Sequence, residues 1–325
     1  MQRGLSRDPA GDYCQAMNMD SGSAAARRGR GSRGLAVALA ALAVIAIGLL
    51  ACGDDDAKKA TVPTPLAITT SDVEDERFRT EAPRSVKGGL VELTFTNAGK
   101  VGHEAQLARY DDGHTAADAL DVILSEEPGI PSWFHAAGGA GSTRPGQTVK
   151  TTMNLAAGNY VMADNDNQEG RSNAKRGAFV EFEVTDGDDG SLPASTATIT
   201  AATDEQAEPQ HSFEITGLKV GKNRLRLVSE GEEVHHAIML PIVPGNSLAD
   251  VEEFFSDEGQ ASASPPVDFE GGAGTAAIDG DTEQVTDLVL PRVGRYAVIC
   301  FLTDRDGKEP QPHLANGMLE EVEVR

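Results

Sequence analysis

Residues 296–325 read YAVICFLTDRDGKEPQPHLANGMLEEVEVR. An apolar strand pattern, Tyr296 to Phe301, carries Cys300, and a Val-rich strand pattern, Leu319 to Val324, ends the chain. Between Cys300 and the last strand lie His313 and Met318, and far upstream, on a separate predicted strand, stands the pair His235-His236. A thiolate, two imidazoles and a thioether are the ligand types that select copper in a trigonal site with a weak axial sulfur. The C-terminal half is therefore expected to bind a metal.

This stretch is one end of an internal repeat. Gly89 to Phe95 aligns with Gly221 to Leu227 at an offset of 132 residues, and the same offset places His103 on His235 and Gly113-His114-Thr115 on Gly245-Asn246-Ser247. Both aligned runs alternate apolar and polar residues at their ends, as strands with one buried face do. Thr115 and Ser247 each precede a short helical pattern and carry an acid three residues on, Asp118 or Asp250, a start resembling a capping box. Further along, Gly138 to Gly141 matches Gly271 to Gly274, Gly158-Asn159-Tyr160 matches Gly294-Arg295-Tyr296, and Gly177 to Val184 matches Gly317 to Val324. Each unit holds several short strands, turn signals and one short helix, which predicts an all-β chain of two tandem β-sandwich domains. The expected boundaries are residues 66–185 and 196–325, with an acidic, turn-forming linker at 186–195.

At this point the residues resemble a family, the cupredoxins, Greek-key sandwiches of the plastocyanin type. Asn97-Ala98-Gly99 precedes His103, Gly231 precedes His235, Gly294-Arg295-Tyr296 leads to Cys300, and His313 stands five residues before Met318 and the final strand. The resemblance implies one type 1 copper site in the second unit, with His235, Cys300, His313 and Met318 as ligands. His235 is preferred to His236 because it aligns with His103, and His236 points to the opposite face. One departure stands out: twelve residues, Phe301 to Pro312, separate Cys300 from His313, where the family has only a few. That excursion either returns His313 to the metal or leaves it on the surface. In the first unit Asp164, Asn173 and Ala178 occupy the positions of Cys300, His313 and Met318, so only His103 remains and no type 1 copper is expected there. His103, His114 and His135 are read as solvent or turn histidines, and Trp133-Phe134 as core.

Residues 1–51 read as a leader. Arg27, Arg28, Arg30 and Arg33 form a basic segment before the apolar run Leu35 to Leu50, and Leu49-Leu50-Ala51-Cys52 resembles the lipobox of bacterial lipoproteins. That resemblance implies cleavage before Cys52, lipid attachment to its thiol, and an exported protein anchored at the outer face of the bacterial cell membrane. Residues 52–65 form a charged, then Pro-containing, flexible tether. Of Cys14, Cys52 and Cys300, the first leaves with the leader and the second is lipidated. Cys300 then has no disulfide partner, which leaves metal ligation or burial as an inert small hydrophobe.

The formal charge of the 325-residue chain is -23, and a surface this acidic repels phosphate, so nucleic-acid binding is set aside. The sequence holds no Gly-x-Ser-x-Gly, His-Glu-x-x-His or phosphate-loop motif. It also has no His-x-His, and Cys300 is flanked by Ile299 and Phe301, so a multicopper oxidase is not expected and the chain is read as a non-enzyme. Two function classes follow. One is a membrane-tethered copper protein that transfers electrons, through a redox partner protein, or holds copper. The other is a metal-free structural or interaction lipoprotein of the cell envelope.

Overall fold

Alternation dictates the strands. In β4 (Gly89–Asn97) the inward residues include Leu93 and Phe95, and in β14 (Gly221–Glu230) they include Leu225 and Leu227, all fully buried. Each such side chain contributes roughly 1.5–3 kcal/mol by leaving water. The structure, a computed structural model, describes residues 61–74, 76–125, 127–168, 170–256, 264–307 and 311–325. The leader, the lipobox with Cys52 and most of the tether lie outside the described residues.

The N-terminal half contains β1 (Thr64–Asp72), β2 (Phe78–Glu81), β3 (Ser85–Lys87), β4, β5 (His103–Tyr110), α1 (Ala116–Ile123), β6 (Phe134–Thr143), β7 (Thr148–Leu155), β8 (Gly158–Ala163), the short β9 (Asn167–Gln168) and β10 (Arg171–Ser172), and β11 (Phe179–Thr185). The C-terminal half contains β12 (Ala197–Thr203), β13 (His211–Thr216), β14, β15 (Ile238–Pro241), α2 (Leu248–Phe255), β16 (Ala273–Gly274), β17 (Glu283–Leu290), β18 (Gly294–Ile299) and β19 (Leu319–Val324). The all-β class is thus as expected, with one short α-helix in each half. Both helices start on the anticipated capping box: Thr115 and Ser247 each accept from the N–H of the acid three residues on, whose carboxylate accepts from the cap N–H in return.

In each half two sheets enclose one core. The N-terminal core takes Leu66 and Ile68 from β1, Leu93 and Phe95 from β4, and Leu107, Met162 and Phe182 from the facing sheet β3-β11-β8-β5-β6. The C-terminal core takes Ile199, Leu225 and Leu227 from one sheet and Met239, Tyr296 and Val298 from the facing sheet β16-β15-β18-β19. Tyr160 and Tyr296 mark the repeat at the level of hydrogen bonds. Their hydroxyls donate to the carbonyls of Ala156 (2.8 Å) and Arg292 (2.9 Å), each four residues upstream. A buried phenol needs such a partner, and here the repeat supplies it twice.

The sequence did not announce how the halves join. Their first sheets run together as one eight-stranded sheet in the order β13-β12-β14-β17-β7-β4-β1-β2. The seam pairs β17 with β7 antiparallel, through Gln284 with Met153, Val285 with Thr152 and Thr286 with Thr151. These are equivalent strands of the two halves, so each covers the other's open edge, the usual remedy for unpaired backbone groups. Threonine hydroxyls 151 and 286 bond across the seam at 2.8 Å.

Candidate metal centre

His235 is placed by main-chain geometry before its side chain is considered. Its N–H donates to the Ile278 carbonyl and its carbonyl accepts from the Ile278 N–H, at 3.0 and 2.9 Å, which fixes the residue just ahead of β15. Cys300 follows β18 directly. The excursion after it closes on itself through three backbone bonds: His313 N–H to Leu302 O, Leu314 N–H to Cys300 O, and Met318 N–H to His313 O. A 3-10 turn at His313–Asn316 and Gly317, at φ 113, then deliver the chain to β19. A side chain on Gly317 has no room, since its first carbon would stand 2.2 Å from the His211 carbonyl oxygen. The long loop therefore returns His313 to the interior, and the alternative of a surface histidine is excluded.

The result is a buried cluster. His235 Nδ1 lies 3.1 Å from His313 Nδ1, and Cys300 Sγ lies 3.5 Å from the same His313 nitrogen. All three residues are shielded from solvent. Their outer nitrogens are held from behind: His235 Nε2 by the Thr203 hydroxyl at 2.9 Å, and His313 Nε2 by Asp304 Oδ1 at 3.1 Å. Met318 is fully buried in the same core cluster as Cys300, and its carbonyl accepts from the Cys300 N–H at 3.2 Å. His236 behaves as the strand argument requires: it turns away from the cluster and its Nε2 accepts from the Phe301 N–H at 3.0 Å. Among the described residues Cys300 is the free cysteine, and it is buried.

One member was missed by sequence reasoning. His211, at the start of β13, is buried; its ring stacks on His313 with centroids 4.1 Å apart, and nitrogens of His211, His235 and His313 lie within 4.8 Å of one another. Its Nδ1 bonds the Thr203 hydroxyl at 2.9 Å, and its Nε2 faces Asp304 Oδ1 at 3.2 Å. No local motif marks it: Thr203 and His211 face each other only through the cross-strand pairing of β12 and β13.

The electrostatics suit a cation. Burial, with repulsion from His313, holds His235 down at about 2 and His211 at about 4, so both imidazoles are neutral at neutral pH. Burial also pulls on His313, but Cys300 and Asp304 outweigh it and raise this imidazole to about 9. Without metal, His313 therefore carries a proton where a metal ion would supply positive charge. The spacing fits as well. Two imidazole nitrogens each ~2.0 Å from one tetrahedral ion stand about 3.3 Å apart, and a thiolate at ~2.3 Å stands about 3.5 Å from a nitrogen ligand. The two separations made by His313 Nδ1 are thus those of ligands to one late first-row ion such as copper, and the three imidazole donors that lie within 4.8 Å of one another are histidines 211, 235 and 313.

The corresponding place in the N-terminal half is built differently. His103, expected as a solvent or turn histidine, is fully buried, with its Nδ1 2.5 Å from Asp164 Oδ2. Asn173 donates to the same carboxylate oxygen at 3.1 Å. His114 stacks on Trp133 at 3.9 Å, and His135 bridges Asp111 and Asp279 at 3.1 and 3.2 Å, so neither is a free surface histidine. Phe134 is buried and Trp133 packs against the same cluster, in line with the core reading.

No protein-family model matches the chain, and no curated protein does. Solved structures do match. A multicopper oxidase is 13% identical with a TM-score of 0.20, over 80% of this chain and 88% of that one. A copper nitrite reductase from Nitrosomonas europaea is 15% identical with a TM-score of 0.21, over 80% of this chain and 94% of that one. An auracyanin B is 21% identical with a TM-score of 0.25, over 39% of this chain and 88% of that one. These matches correct the expectation of a non-enzyme, because enzymes are among the structures matched along most of the chain. The exclusion rests on His-x-His motifs, whereas the fold gathers histidines 211, 235 and 313 from distant positions that no local motif displays.

Proposed function

We propose that the chain is a copper protein whose C-terminal half holds one ion between His235 Nδ1, His313 Nδ1 and Cys300 Sγ, with Met318 as the distant thioether. The observation that carries this reading is the convergence of His235 Nδ1 and Cys300 Sγ on His313 Nδ1 inside a buried core. Copper in such a set exchanges single electrons with little change of geometry. The chain's own part is to keep that geometry fixed. His235 is pinned by its bridge to Ile278, His313 by the closed loop, and Cys300 by backbone bonds to Met318 and Leu314. The halves at 66–185 and 196–325 act as domains, the second carrying the metal and the first serving as spacer or docking module. A lipid on Cys52 tethers the protein to the outer face of the bacterial membrane. There the protein transfers electrons to and from a partner protein, or holds copper.

The test is a visible spectrum of the full-length chain with one equivalent of Cu(II), beside Cys300→Ser. An intense thiolate-to-copper band, absent from the variant and bleached reversibly by reductant, supports the reading. A colourless protein whose weak copper uptake does not depend on Cys300 sinks it and leaves a metal-free envelope scaffold.

A further inference from the structure

Behind the two imidazole ligands runs a closed chain of polar groups that the copper reading does not use. It passes from His235 Nε2 to Thr203 Oγ1 (2.9 Å), from Thr203 Oγ1 to His211 Nδ1 (2.9 Å), from His211 Nε2 to Asp304 Oδ1 (3.2 Å), and from Asp304 Oδ1 to His313 Nε2 (3.1 Å). Thr203 and His211 meet because they are the last cross-strand pair of β12 and β13. His211 Nε2 is buried and has no aligned hydrogen bond, so the Asp304 oxygen is the group it faces.

The directions of these bonds are fixed by what each group can do. An ionised carboxylate only accepts, a neutral imidazole has one donor and one acceptor nitrogen, and a hydroxyl has a single proton to give. Asp304 Oδ1 faces Nε2 of both His211 and His313. A lone pair on either nitrogen would sit buried against a carboxylate, so both nitrogens carry protons. His211 Nδ1 then has only a lone pair and accepts from the Thr203 hydroxyl. That hydroxyl has given its proton, so it accepts from His235 Nε2–H. The proton of His235 is therefore on the outer nitrogen, and the lone pair of Nδ1 points inward at the cluster. The same carboxylate leaves the His313 Nδ1 side facing inward directly.

We infer that Asp304 sets the ligating tautomer of both histidines, His313 by direct contact and His235 through the relay Thr203–His211. This deepens the copper reading and rests on it for its purpose. Thr203 and His211 are positioning residues in this account. Outer groups of this kind orient metal-bound imidazoles and hold their tautomers.

The N-terminal half supplies an independent comparison. There the last cross-strand pair of β1 and β2 is Asp72 with Phe78, where the C-terminal half has Thr203 with His211. A second contact marks the equivalence: Gly177, at φ 105, abuts the Phe78 carbonyl as Gly317 abuts that of His211. Phe78 packs edge-on against His103 with centroids 4.6 Å apart and has no nitrogen to offer. The half that lacks the thiolate and the second imidazole lacks the relay too.

The direct test needs no copper and no variant. A long-range 1H–15N correlation spectrum of the full-length, metal-free protein at neutral pH reads each histidine tautomer. The expected result is Nε2–H at both His211 and His235; Nδ1–H at either overturns the inference. Variants then test the consequence. Thr203→Val and His211→Phe are expected to weaken Cu(II) binding by about 10–100-fold and to shift the visible band. Thr203→Ser and His211→Gln, whose side chains keep one acceptor and one donor, restore both. Wild-type affinity and spectrum in Thr203→Val and His211→Phe, even with a lowered melting temperature, mean a purely structural role and refute the proposal. If the wild type takes up no copper, the copper reading fails while the tautomers are still decided by the spectrum.

Discussion

The two halves of this chain solve one burial problem in two ways. Each turns a histidine into the same corner of a sandwich, His103 in the first and His235 in the second, and each must satisfy it away from water. The first half places Asp164 beside it at 2.5 Å, with Asn173 as a further donor to the carboxylate. The second places His313 beside it, with Cys300 at the same ring nitrogen and Asp304 on the far side. One corner closes on an internal pair of protein groups. The other leaves nitrogen and sulfur donors facing inward, an arrangement that a cation completes. Sequence divergence between the copies thus separates a corner closed by an acid from the proposed binding corner, and the local strands differ with it: His103 lies within β5, His235 just ahead of β15.

The largest test of this contrast removes the internal partner. Asp164→Ala leaves His103 buried and unpaired, and is expected to cost about 3–5 kcal/mol in urea denaturation, while copper uptake per folded chain is unchanged. If copper uptake falls with it, the two corners are not independent.

The junction comes next. Arg305 lies in the excursion between Cys300 and His313. Its guanidinium bonds the Pro131 and Phe134 carbonyls and pairs with Asp279, and its N–H donates to Glu233 at 2.6 Å. Arg305→Ala is expected to cost about 1.5–3 kcal/mol and to speed copper loss to a chelator. Unchanged copper release would detach the N-terminal half from any role in holding the loop.

The halves also differ in how they respond to pH. Burial, and then Asp164, pushes Glu104 up to about 8 from 4.5. Between these values the unfolded chain has lost a proton that the folded chain keeps, so stability falls as pH rises through this window. For one such group the slope is at most about 1.4 kcal/mol per pH unit. His313 is raised from 6.5 to about 9, so its contribution is complete below 6.5 and is lost as pH climbs through 9. Denaturation series across this range separate the two. Glu104→Gln is expected to flatten the lower window, and copper loading the upper one, because the metal displaces the His313 proton. An upper window that copper leaves untouched contradicts the assignment of His313.

The smallest effect is one the halves share. Thr115→Ala and Ser247→Ala each remove one capping box and are each expected to cost about 1 kcal/mol. A large difference between them would show that the helices, and not only the corners, have diverged.

Much of this fold was legible because it rests on local rules. Alternation announced β4 and β14, Thr115 and Ser247 announced the helices, and the matching Gly-x-Tyr runs announced β8 and β18 with their buried phenols. His235, Cys300 and His313 were legible by alignment within the chain. The shared eight-stranded sheet was not, since strand pairing between the halves leaves no periodic mark in either. Nor was His211, which joins the cluster through its partner across β12 and β13. The burial of His103 was hidden for the same reason: it depends on Asp164, sixty-one residues away.

The account stands most directly on what surrounds a bound copper ion. X-ray absorption at the copper edge of the full-length chain loaded with one equivalent reads those neighbours without assumption. The account predicts two imidazole nitrogens at ~2.0 Å and one sulfur at ~2.3 Å, with the sulfur lost in Cys300→Ser and the spectrum unchanged in Asp164→Ala. Copper surrounded only by nitrogen and oxygen, or a sulfur that survives Cys300→Ser, would contradict it.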